Sequence, residues 1–174
     1  MSTPESHEYD FEVPALVDRI NTTAGRVAAR VIADTSAHWE QVGNVLPRVP
    51  RREAIDWNRA VSSSGPLPEE APEPPAETKQ RIEGDLAHMC RIANVNKTTH
   101  VSFLSDEFYS IGIECEESVA LEVLAAWLPL PHAIYVVPAN QLACLLVTFA
   151  RSSYVFQAKP PNNAVNPSSG LGGF

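Results

Sequence analysis

A chain of 174 residues, 44% of them hydrophobic, is long enough to bury an ordinary core without help from metal or disulfides. Its 21 acidic residues against 13 basic ones give a formal net charge of −8, which opposes attraction to nucleic-acid phosphates and anionic membranes and disfavours both as partners. Three cysteines, Cys90, Cys115 and Cys144, form no CxxC pair, so neither a disulfide framework nor a zinc knuckle is indicated and a reducing compartment is expected.

Residues 1–12 are polar and acidic and are expected to form a flexible arm. They lack the basic and apolar regions of a signal peptide, and no apolar run approaches the roughly 20 residues that span a bilayer. A cytoplasmic or virion-associated location follows. From residue 13 to 61 the chain reads as a helical N-terminal region. Val13, Leu16, Val17, Ile20, Ala24, Val27, Ala28 and Val31 recur at helical spacing and predict one helix over 13–35, with an Arg30 to Asp34 pair along it. The following stretch, His38 to Leu46, extends or follows that helix until Pro47 and Pro50 close off regular structure. A short helical turn around 52–61 offers Ile55 and Trp57 as anchors.

Arg48, Arg51 and Arg52 make the only dense positive cluster. It suits an acidic partner, although pairing with nearby carboxylates is the simpler expectation. Residues 62–76 then hold five prolines and a single large apolar residue, Leu67. Prolines remove backbone donors and favour extended geometry, so this acidic segment is expected to be a linker between the helical part and the rest. Leu67 among the prolines could also dock on a partner.

Residues 77–158 are expected to form a compact α/β domain. Ile82, Leu86, Met89 and Ala93 define a helix over 77–93, weakened by Gly84. Strand-forming runs at 99–105 and 108–115 flank a turn at Asp106 and Glu107 and predict a hairpin. Glu116, Glu117 and Ser118 open the next helix, where negative charge complements the dipole, and Val119, Leu121, Val123, Leu124, Trp127 and Leu128 are assigned to its buried face. Strands at 133–137, 142–149 and 154–157 follow, and residues 159–174, rich in Pro, Asn, Gly and Ser, form an extended tail. This order of elements predicts an α+β fold, with an antiparallel or mixed sheet carrying helices on one face.

No GxSxG elbow, glycine-rich phosphate loop or metal-ligand histidine spacing occurs, so no cofactor or metal is expected. Cys115 lies where a strand meets a helix N-terminus, a place that can activate a thiol, but its flanking carboxylates oppose a thiolate. Ser118, His100 and Asp106 could be brought together only by folding. The expectation is therefore a non-catalytic protein–protein interaction or assembly subunit, for example a viral or phage structural component, contacting neighbours in an oligomer or multisubunit complex. Asp106, Glu107, Glu116 and Glu117 join the arginine cluster and Leu67 as candidate contacts. Two alternatives stand beside it: an acidic immunity or antitoxin-type inhibitor of a basic toxin, using those carboxylates with Glu114 and Glu122, and a small hydrolase or thiol enzyme.

Overall fold

In the computed structural model, residues 10–46, 75–106, 111–129, 133–148 and 151–158 are described. The expected arm through residue 9, the Arg48, Arg51 and Arg52 cluster, the short helix at 52–61, Leu67 with the proline-rich linker up to residue 74, Glu107 and the tail from 159 lie outside the described residues.

Helix α1, Glu12–Ala24, buries Val13, Leu16, Val17 and Ile20 along one stripe. It stops well short of residue 35. Gly25 adopts a left-handed φ of 67°, a conformation that glycine enters without a Cβ penalty, and its N–H returns to the Thr22 carbonyl. The chain then extends into strand β1, Ala29–Ile32, so the second half of the predicted helix is a strand. Arg30 consequently does not meet Asp34 along a helix. It reaches Glu114 on a neighbouring strand, while Asp34 accepts the Ser36 backbone N–H at the start of helix α2, Ser36–Val45.

Helix α3 spans Ala76–Ile92 and buries Ile82, Leu86, Met89 and Cys90, the face set by its apolar spacing. Strands β2, His100–Asp106, and β3, Gly112–Glu116, pair antiparallel, as the expected hairpin requires. A 3₁₀ turn at Glu117–Val119 leads into helix α4, Ala120–Trp127, which is followed by β4, Ala133–Pro138, β5, Ala143–Val147, and β6, Ser153–Gln157.

The fold is α+β. Among the described residues six strands form one sheet in the order β1-β3-β2-β4-β5-β6, and every neighbouring pair is antiparallel. Residues on both sides of the proline-rich segment thus belong to the same sheet, because β1 pairs with β3 in the register Ala29 to Cys115 and Ile32 to Gly112.

Side chains alternate across the sheet and feed two cores. On one face Phe103, Ile113, Val136 and Leu145 pack with α1, α3 and α4, where Trp127 meets Phe103 edge-on at 6.1 Å. On the other face Leu104, Tyr135, Val137 and Leu146 pack with Trp39, Val42 and Leu46, and Trp39 meets Tyr135 edge-on at 5.0 Å. Helices α3 and α4, the two expected within residues 77–158, thus share one face of the sheet together with α1, and helix α2, from before the linker, adds a layer on the other. Burying side chains of this size contributes about 1.5–3 kcal/mol each, enough to fix a ten-residue helix whose own propensity is weak.

Candidate functional site

A connected set of polar groups lies where the end of α1, the start of β1 and the end of β3 converge. Asn21, in the last turn of α1, builds this corner. Its Oδ1 accepts the backbone N–H groups of Ala28 and Ala29 at 2.8 Å each, and its Nδ2 donates to the Ala29 carbonyl at 2.9 Å. One amide side chain thereby satisfies the entry to β1. The Ala28 carbonyl then accepts the Glu116 N–H at 2.8 Å, and the turn after β3 is held by Glu117 N–H to Thr99 and Ser118 N–H to Lys97.

Arg26 and Val27 project from the loop so fixed. The Arg26 guanidinium donates to the Glu116 carboxylate and to Ser118 Oγ, which itself donates to Glu116 at 3.3 Å. The hydrogen bond from Arg26 holds the Glu116 carboxyl below the usual glutamate range. One register step along, Arg30 places Nε and Nη2 at 3.0 and 2.7 Å from the same Glu114 oxygen, with His38 Nε2 3.9 Å away. Two acidic residues of β3 are thus each matched by an arginine from the segment before or within β1.

Two large apolar side chains close in sequence to this cluster are exposed. Val27 is 79% exposed and Leu121 is 51% exposed. Leu121 also borders an open cleft of about 290 Å³ between α3 and the start of α4, lined further by Glu83, Leu86, Lys97, Glu117 and Ser118. A second cleft, of about 390 Å³, lies between α1 and α4 beside Phe11, Arg19 and Trp127.

Of the residues expected to make contacts, Glu116 sits inside the Arg26 cluster and Glu117 lines the 290 Å³ cleft. Asp106 is not brought to them. His100 pairs with Glu116 at one end of β2, and Asp106 pairs with Ala133 at the other. Six residue steps along the strand separate these ends by about 20 Å. The same separation keeps Ser118, His100 and Asp106 from forming a triad. The cysteines are all free and buried. Burial, reinforced by Glu117, raises the Cys90 thiol to about 11, burial raises Cys144 to about 12, and burial with the adjacent Glu114 pushes Cys115 up strongly. None offers a thiolate at neutral pH. Among the described residues no group of three or more His, Cys, Asp or Glu side chains could hold a metal ion, and no helix is long and apolar enough to cross a membrane.

Val27 and Leu121 were both assigned to buried stripes from spacing. Gly25 carried the missed signal for Val27, since a glycine directly after an apolar helical run marks its end. For Leu121, the buried set Ala120, Val123, Leu124 and Trp127 already fills the i, i+3, i+4, i+7 positions and leaves residue 121 outside it.

Comparison with protein-family models, with curated proteins and with solved structures finds no match.

Proposed function

We propose that this chain is a non-catalytic protein–protein interaction subunit that joins a larger assembly through the corner built from Arg26, Val27, Glu116 and the start of α4. The observation that carries the proposal is the exposure of Val27 and Leu121 on a surface whose polar neighbours are held in place by mutual hydrogen bonds. Water gains nothing by wetting two branched apolar side chains, whereas a protein partner that covers them recovers their transfer free energy. The mutually bonded Arg26, Glu116 and Ser118, with Lys97 and Glu117 lining the adjacent cleft, supply the polar rim that orients such a partner. The shallow, mixed lining of the cleft suits a protruding side chain of that partner better than an enclosed small molecule. Arg30 and Arg26 partly neutralise Glu114 and Glu116, which takes two carboxylates from the acidic face that an inhibitor of a basic toxin would present.

A photo-crosslinking residue placed at position 27 or 121, in protein expressed in its native host, tests the proposal. Intermolecular adducts from both positions are expected, together with loss of the native complex in a Val27→Asp, Leu121→Asp variant whose melting is unchanged. Absence of adducts from both positions, or a complex that survives the double substitution, would refute the assignment.

A further inference from the structure

The other edge of the sheet carries a separate message. Strand β6 has the sequence Ser-Tyr-Val-Phe-Gln, with no charge, proline or glycine, and it is half-exposed along its length. Sheet edges of this composition are pairing templates, and proteins ordinarily blunt them with lysine, proline or a bulge. Among the described residues no strand pairs with its outer side.

The hydrogen-bond phase of β6 can be read from its two ends. Thr148 N–H donates to the Ser152 carbonyl before the strand, and Ala158 N–H donates to the Leu142 carbonyl after it. Between them the register is Leu146 to Tyr154, Leu145 to Val155 and Cys144 to Phe156. In an antiparallel ladder the residues that exchange bonds alternate. Tyr154 and Phe156 therefore direct their backbone groups at β5, and Ser153, Val155 and Gln157 direct theirs outward.

From this phase we infer that β6 is a self-pairing edge, at which a second copy of this chain docks antiparallel about a two-fold axis through Val155. The strand is complementary to itself in that arrangement. Val155 opposes Val155 of the second copy, and Ser153 opposes Gln157 in each direction, so all three outward-facing residues exchange backbone bonds, about six in total. Tyr154 then opposes Phe156 of the second copy at the closely spaced, non-bonded positions, where aromatic pairs contribute most. Within one chain these two rings already lie on one face at 6.4 Å.

Charge does not oppose a second copy at this edge. Two chains of net charge −8 repel each other, yet no Asp or Glu follows Glu122 in the sequence. The β4 to β6 side therefore contributes no carboxylate from its own strands. The nearest acid on the helix covering β6, Asp85, is bonded to Ser153 and lies 3.9 Å from Arg81. This edge lies across the sheet from the Val27 surface, so it serves assembly independently of that surface.

The test combines sedimentation velocity over a concentration series with amide hydrogen exchange. A dimer of the 19.0 kDa chain is expected. The amides of Ser153, Val155 and Gln157 should gain protection as concentration rises, while those of Tyr154 and Phe156 stay protected throughout. Val155→Pro and, at the exposed end of the strand, Gln157→Pro each remove an outward N–H that β5 does not use. Each should weaken dimerisation about tenfold or more without loss of the β5 to β6 amide protection. Having two variants covers the case in which one misfolds. A chain that remains monomeric up to about 1 mM overturns the inference. So does protection at 153, 155 and 157 that does not change with concentration, which would mean that the chain covers its own edge, and so does a dimer indifferent to both prolines. Crosslinks from position 27 are unaffected by either proline, which keeps the two interfaces separable.

Discussion

Removing the Asn21 side chain tests the corner on which the proposed contact surface depends. Asn21→Ala deletes two acceptor contacts to the Ala28 and Ala29 N–H groups and one donor contact to the Ala29 carbonyl. At about 1 kcal/mol net per hydrogen bond the loss is about 3 kcal/mol. Alanine returns roughly half a kcal/mol through better helix propensity in α1, and β1 is an edge strand where water can reach part of the freed backbone, so about 2 kcal/mol of destabilisation remains. With a urea slope of about 2 kcal/mol/M, the unfolding midpoint should fall by about 1 M. Asn21→Asp keeps an acceptor for both N–H groups and loses only the donor, so its midpoint should fall by about half as much. Urea titration followed by the fluorescence of the buried Trp39 and Trp127 gives the midpoints, and exchange of the Glu116 amide, which bonds Ala28, reports the corner itself. A midpoint for Asn21→Ala within about 0.2 M of the parent, with Glu116 exchange unchanged, would refute the claim that this side chain holds β1 in place.

Two glycines should respond oppositely to alanine. A Cβ at Gly112 would stand 2.7 Å from the Phe103 carbonyl oxygen and 2.9 Å from Leu104 Cδ2, so Gly112→Ala forces β3 away from β2 and should cost about 1–3 kcal/mol. Gly84, inside α3, has nothing within 4 Å of such a carbon, and Gly84→Ala should stabilise by about 0.4–1 kcal/mol. Thermal melting of both variants checks the pair, and equal signs would contradict the packing described for β3. For Glu116, the folded carboxyl lies below its unfolded value because Arg26 bonds it, so its stabilising contribution is present above the ordinary glutamate range and is lost as pH falls through the folded value. An NMR titration should place the Glu116 midpoint lower in the parent than in Arg26→Ala; coincident midpoints would show that the contact does not persist in solution.

Local pattern revealed most of the regular elements after residue 76. The stripe Ile82, Leu86 and Met89 lies on α3, the apolar run at 133–137 covers all but the last residue of β4 and the run at 142–149 contains β5, because a run of strand-forming residues between turn signals has one obvious use. The candidate contacts were only partly legible. Glu116 and Glu117 reach the corner and its cleft, whereas Asp106 ends at the far side of β2. Val27 and Leu121 were hidden by their own hydrophobicity, since an apolar residue near a helical stripe is assigned inward unless something shows that the stripe has ended.

By itself the sequence determined the acid excess, the absence of acids after Glu122, the α+β sequence of elements and the apolar side of most of them. Those properties are composition or short-range periodicity. Only the tertiary structure decided that residues 29–32 are a strand, since four residues gain little as an isolated strand and become one by pairing with β3, whose residues lie 80 to 86 positions away. It likewise decided that α2 covers the face opposite α1, α3 and α4, and that β1 and β6 stand at the two ends of the sheet among the described residues. Periodicity records that a side chain has an apolar face to cover. What covers it depends on contacts between segments distant in the chain, and so does the choice of which apolar residues stay outside.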